Sequence, residues 1–183
     1  MCVFFENNMT KIITFISCIF FILSCAGTKS YLNKNFKKNI STLGIITFSG
    51  PQDLGEAVSD KFTMELLQKT AFNVIERRQI QQVLEEQGLS LSGIINDKER
   101  IQIGKITGID AYITGSIIHY SSILTSGGDV ELNIRMIDIE TGGIIYSGSA
   151  KSDWILVATG SLSETTAAVI SAVVKDMKKK FNK

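Results

Sequence analysis

Residues 130–148 read VELNIRMIDIETGGIIYSG, and this stretch decides the fold. From Val130 to Ile139 apolar and polar side chains alternate, the period-two pattern of a strand with one face buried. Thr141-Gly142-Gly143 then offers the positive-φ positions that a tight hairpin requires, and Ile144 to Leu156 returns as a second strand. Upstream, Ala111 to Tyr120 is rich in Ile, Tyr and Thr and makes the third strand of a meander. Ser121 to Asp129 (SSILTSGGD) connects it to the alternating strand, with Gly127-Gly128 read as a turn.

Further towards the N-terminus the pattern changes. Leu43 to Phe48 (LGIITF) is a short apolar run closed by Ser-Gly-Pro, a buried strand. Gly55 to Thr70 sets Val58, Phe62 and Leu66 on one helical stripe with Leu67 beside it. Phe72 to Glu76 is a short strand. Arg78 to Gln87 is a helix with Ile80, Val83 and Leu84 inward, stopped by Gly88, and Asp97 to Thr107 is another helix, with Asp97 at its start. After the meander, Ser161 to Phe181 is a long helix with Leu162, Thr166, Val169, Ile170, Val173, Met177 and Phe181 on one side. Strand and helix alternate first and a meander follows, so the fold class is α/β in the α+β sense. The expectation is a mixed sheet of about five strands covered by helices, with a long C-terminal helix, over residues 43–183.

The 183 residues, 44% hydrophobic and 20% charged, are enough for one domain with a real core and exclude a disordered or fibrous chain. All three cysteines fall in the first 25 residues. Lys11 precedes an apolar run from Ile12 to Leu23, about a dozen residues, which suits a signal-peptide core and is short for a bilayer span of about 20. It ends at Ile22-Leu23-Ser24-Cys25, which resembles the lipobox of bacterial lipoproteins, although Leu23 stands where Ala or Ser is commonest. That resemblance implies a signal peptide over residues 1–24 and acylation of Cys25, the lipid attachment site; two or more acyl chains anchor a protein stably. MTKIITF from Met9 is an ordinary cationic start, whereas MCVFFENN is not, so translation from Met9 is expected. Processing would discard Cys2 and Cys18, leaving no disulfide, no thiol nucleophile and no cysteine metal ligand. Ala26 is not the Asp that often retains such lipoproteins at the inner membrane, which favours the outer membrane with the domain facing the periplasm.

From Ala26 to Thr42 the chain is polar and carries Lys29, Lys34, Lys37 and Lys38 with no acid. Residues 25–42 therefore read as the lipidated Cys and a basic tether. Its 17 residues reach at most about 55–60 Å when extended, so the domain stays near its membrane. The tether lysines suit either a soluble linker or anionic headgroups. Residues 175–183 (KDMKKKFNK) carry a net +4, on the solvated face of the last helix. Taking tether and tail from the total of +1 leaves −7 for residues 43–174. An acidic body argues against a nucleic-acid partner, because phosphate binding needs clustered Lys and Arg.

Little else in the chain suggests chemistry. The sole histidine, His119, lies in a strand with no carboxylate nearby in sequence, so a structural or surface role outweighs a zinc or catalytic one. Glu85-Glu86 diverge on a helix and Asp138 with Glu140 flank a turn, so neither reads as a catalytic pair. The doublets Gly127-Gly128 and Gly142-Gly143 lack the Lys-Ser/Thr of a phosphate loop, and Trp154 has no aromatic ladder around it. The expectation is a non-enzymatic protein with no cofactor, no metal and no small-molecule substrate.

Val58 to Leu89 (VSDKFTMELLQKTAFNVIERRQIQQVLEEQGL), Gly108 to Tyr120 (GIDAYITGSIIHY) and Val130 to Gly148 together resemble the CsgG family of curli assembly/transport lipoproteins. The Glu76-Arg77 step, Val83-Leu84-x-x-Gln87 and Thr114-Gly115-Ser116-Ile117 carry the resemblance as a set. It implies an accessory in envelope assembly or secretion, with an envelope protein or further copies of itself as partner. Channel-forming members insert two long amphipathic hairpins to build a shared barrel, each needing about 20 residues of alternating apolarity. With nine residues between Tyr120 and Val130, and Lys151, Ser152 and Asp153 in the later segment, a short form without the pore hairpins is expected. A channel subunit is the alternative, and so is a relative of the lipoproteins that activate penicillin-binding proteins, which work on a long tether.

Overall fold

In a computed structural model, the described residues are 28–36, 39–51, 54–75, 77–86, 97–122, 125–152 and 161–182. They form β1 (Thr28–Leu32), β2 (Thr42–Ile45), α1 (Leu54–Lys69), β3 (Asn73–Ile75), α2 (Arg77–Glu86), α3 (Asp97–Thr107), β4 (Ala111–Ser122), β5 (Thr125–Asp138), β6 (Ile144–Lys151) and α4 (Leu162–Phe181). One mixed sheet runs in the order β1-β6-β5-β4-β2-β3. The meander β4-β5-β6 and the added β1 pair antiparallel, while β2 lies parallel to both β3 and β4. The helix α1 makes the β2-to-β3 crossover that parallel neighbours require.

The sheet therefore has six strands rather than about five, and the extra one comes from the residues read as tether. Thr28–Leu32 (TKSYL) pairs with β6 from Thr28↔Ala150 to Leu32↔Tyr146. Its polar composition hides the strand because an edge strand meets the core with one face only. Ser30 and Leu32 lean inward while Lys29 and Tyr31 are exposed. Residues 1–27, with the expected signal peptide and Cys25, lie outside the described residues, as do Trp154 and the side chains of Val83, Leu84 and His119.

The connection between the first two meander strands also differs from its reading as a nine-residue loop. Both strands run on through it, so that Ser122 pairs with Thr125, and the Gly127-Gly128 doublet sits inside β5 rather than in a turn. The ribbon continues past Glu131, the last β5 residue paired with β6, for the six residues 125–130, about 20 Å of strand. A bilayer-crossing strand needs about 9–11 residues. The Gly142-Gly143 doublet does make the expected turn, with Gly142 at φ 71°. Asp138 Oδ1 accepts from the Thr141 amide at 2.6 Å and its hydroxyl at 2.7 Å, and Gly142 packs against the buried Arg100 guanidinium.

The alternation read in β5 separates two layers. Ala111, Ile113 and Ile117 of β4, with Val130, Leu132, Ile134 and Met136 of β5, are buried under α1 and α4, against Val58, Phe62, Leu66, Val169, Ile170, Val173 and Met177. Gly44 and Tyr112 face the other way, onto Ile80 of α2, Ile103 of α3, Ile109 and Ile139. These two short helices cover only the β2 side of that second face. The long helix α4 starts with a capping box: the Ser161 hydroxyl accepts from the Glu164 amide, and the Glu164 carboxylate accepts from the Ser161 amide at 2.8 Å. Near its other end, Asp176 accepts a 2.7 Å hydrogen bond from the buried Tyr146 hydroxyl. Burial, with the Asp176 charge beside it, drives that phenol far above its ordinary range. Gly148 leaves the room for the Tyr146 ring, since a Cβ there would meet ring carbons at 2.8 Å.

Candidate functional site

Beyond Tyr112 of β4, and across β5, β6 and β1, the second face carries no helix among the described residues. Register places its side chains in rows across the four strands. One row is Thr114, Arg135, Ser147 and Tyr31; the next is Ser116, Asn133, Ser149 and Lys29. A groove of about 410 Å³ opens here, lined by Ser49, Thr114, Ser116, Asn133, Arg135 and Ser147 among others. Arg135 and Ser49 are exposed, and Thr114, Ser116, Asn133 and Ser147 are half-buried. Glu131, next along β5, accepts from Asn133 Nδ2 at 3.2 Å and from the Ser149 hydroxyl at 3.4 Å. This is a surface of hydroxyl, amide and guanidinium groups, chemically able to exchange hydrogen bonds with another polar surface.

One border of the face is fixed by ions. Lys151 Nζ lies 2.8 Å from Asp129 Oδ2, and the Ser152 hydroxyl donates to Asp129 Oδ1 at 2.7 Å. Partial burial alone would raise the Asp129 pKa, but the Lys151 ammonium and the Ser152 and Val130 hydrogen bonds outweigh it and hold the carboxyl below its usual range. At the opposite border, burial pushes the Tyr112 phenol up, against the pull of Arg100.

The residues weighed for chemistry are not gathered here. Glu85 and Glu86 are exposed on α2, where each accepts from the glutamine one turn earlier, Gln81 and Gln82 at 3.0 and 3.1 Å. Asp138 is buried and committed to its turn, while Glu140 is exposed. Among the described residues no group of three or more His, Cys, Asp or Glu is placed to hold a metal ion, and no helix is long and apolar enough to cross a membrane. The sequence reading missed the open face itself. Its signal was present in the polar half of VELNIRMIDI and in the small polar residues facing it, Thr114, Ser116, Ser147 and Ser149.

The family described as curli production assembly/transport component CsgG matches residues 15–179. The chain belongs to the CsgG family. Among curated proteins no sequence matches. Two solved structures share the CsgG-like fold at low identity. A dodecamer of PelC from Paraburkholderia phytofirmans superposes with a TM-score of 0.57 at 11% identity, over 81% of this chain and 95% of that one. Lipoprotein GNA1162 from Neisseria meningitidis gives 0.54 at 19% identity, over 76% of this chain and 99% of its own. The near-complete coverage of both shows that this member of the CsgG family has the short fold, of similar extent to theirs.

Proposed function

We propose that the protein is a lipoprotein held by an acylated Cys25 in the periplasmic leaflet of the outer membrane. There it acts as a non-enzymatic accessory in envelope assembly or secretion of the curli assembly/transport kind. The observation that carries this reading is the span of the family match, which begins at residue 15 within the apolar run and takes in Cys25 before covering the folded domain. The open polar face offers the domain a surface for an envelope protein. Cys25→Ala should release the protein to the soluble fraction and abolish acyl labelling; a variant that stays membrane-bound and labelled defeats the anchor. Pull-down of the acylated protein should recover an envelope protein, and recovery of lipid alone defeats the accessory role.

A second reading, a homo-oligomer, is favoured by the PelC structures, which are dodecamers. The sheet's two edge strands and its open face are free for neighbouring copies among the described residues. Light scattering on the detergent-solubilised protein separates a ring from a monomer. The short β4–β5 overhang weighs against a barrel of the channel type, and planar-bilayer conductance tests that. An activator of penicillin-binding proteins working on a long tether is disfavoured, because β1 takes up residues 28–32 and leaves Ala26 and Gly27 as the whole link to Cys25.

A further inference from the structure

We infer that the β1 edge of the sheet is a membrane-contact surface that rests on an anionic phospholipid leaflet, through Lys29, Tyr31 and Lys34. The inference rests on acylation of Cys25 as proposed above. From Cys25 to Thr28 is three residues, at most about 11 Å of extended chain. The headgroup layer of one leaflet is itself about 5–7 Å deep. A sheet whose edge strand starts there cannot stand away from the bilayer, and the edge nearest the anchor is β1.

The chemistry of that edge fits the surface it meets. Lys29, Tyr31 and Lys34 are all exposed, with Tyr31 at 58% among the most exposed large apolar side chains of the described residues. An amphipathic ring between two ammonium groups suits the headgroup level, where Tyr is enriched. Residues 28–36 and the neighbouring β6 hold Lys29, Lys34 and Lys151 and no Asp or Glu. Lys151 is already paired with Asp129, whereas the body from 43 to 174 has a net charge of −7. Positive charge is thus placed on the edge nearest the anchor, apart from the acidic body of residues 43–174 and from the separate +4 of the C-terminal tail, and this basic edge suits anionic lipid.

The test uses the acylated protein in vesicles of phosphatidylcholine and phosphatidylglycerol, with a fluorophore on Tyr31→Cys, on Lys29→Cys as a second probe of the edge, or on Met64→Cys of α1. A lipid carrying a nitroxide on its headgroup should quench the Tyr31 and Lys29 positions and leave Met64 bright. Lys29→Glu with Lys34→Glu should weaken the quenching at Tyr31→Cys while acyl labelling persists. Acylated protein with equal quenching at all three positions, or quenching that ignores the charge reversal, overturns the inference and leaves the anchor standing. Absence of acyl labelling overturns both.

Discussion

The two faces of the sheet are written on the same strands by alternate residues, and they serve opposite ends. On the covered face Ile113, Ile117, Leu132, Ile134 and Met136 are 0–3% exposed and locked under α1 and α4. One residue along from each, Thr114, Ser116, Asn133 and Arg135 line the open groove. Burial stabilises at about 25 cal/mol per Å² of apolar area, so the covered face carries most of the folding free energy. The open face, with little area to bury, is free to be shaped by what it binds. The difference separates a face that holds the fold from one left open for the proposed recognition, and substitutions on the two faces should report stability and binding separately.

The largest effect should come from breaking the covered face. Phe62 is fully buried and meets Phe48 edge-on, ring centroids 5.3 Å apart. Phe62→Ala should cost about 3–5 kcal/mol in urea unfolding, from lost transfer free energy plus the cavity left behind. A loss below about 1 kcal/mol would mean that α1 does not hold this face.

Next in size is the tie between the covered face and α4. Tyr146→Phe removes the hydroxyl that donates to Asp176, at about 1–2 kcal/mol, since the half-buried carboxylate regains water. The pH sign follows from the raised phenol pKa. The contribution is complete below the ordinary tyrosine value near 10 and is lost as pH climbs through the higher folded value. Alkaline titration by ultraviolet absorbance should show one fewer tyrosine resisting ionisation in the variant than in the wild type, with Tyr112 still shifted up in both.

Smaller again is the helix start. Ser161→Ala should cost about 1 kcal/mol through the lost cap. The Ser161 amide and hydroxyl hold the Glu164 carboxyl below its usual range. The carboxylate's share of the capping box is therefore present above the ordinary Glu value and is lost as pH falls through the lower folded one, while the Ser161 hydroxyl keeps its bond from the Glu164 amide. Thermal melts should show the gap between wild type and Ser161→Ala narrowing without closing as pH falls below the ordinary Glu range, because only the hydroxyl's bond to the carboxylate titrates while its bond from the Glu164 amide does not; a gap constant down to about pH 2 would show that the hydroxyl–carboxylate bond plays no part.

How much of this was legible in the sequence follows from where the physics is local. The β5 alternation and the Gly142 turn could be read directly, because period two and positive φ are local properties. So could the α4 stripe from Leu162 to Phe181. β1 could not, since a strand of Thr, Lys, Ser, Tyr and Leu is defined by its pairing with Ser147, Gly148, Ser149 and Ala150 more than 100 residues away. For the same reason Gly127-Gly128, a turn signal taken alone, became strand once the opposite residues of β4 supplied a partner. Asp110 was missed too: one carboxylate oxygen accepts from both amides of Ser41 and Thr42 and from the Ser41 hydroxyl at 2.9–3.0 Å, a contact spanning 68 and 69 positions. The open face was half visible, as polar residues at alternate positions, but nothing local shows that α2 and α3 stop short of it.

The smallest effect on stability, and the sharpest test of the comparison, belongs to that open face. Arg135 is exposed and Asn133 half-buried, so Arg135→Ser and Asn133→Ala should each change unfolding free energy by no more than about 0.5 kcal/mol. If the face is the recognition surface, the same changes should nonetheless weaken capture of the envelope partner or shift the oligomer to smaller species, because a groove of matched hydrogen-bonding groups loses a donor against a partner left unpaired. A stability loss above about 1 kcal/mol would show that the face supports the fold after all. If stability, capture and oligomeric state are all unchanged, recognition must pass to the sheet edges, where β3 offers three residues and β1 five. Of those two, β1 is the one held against the membrane by the proposed anchor, which would leave β3 and the groove between α1 and α4 beside Met64 as the surfaces to vary next.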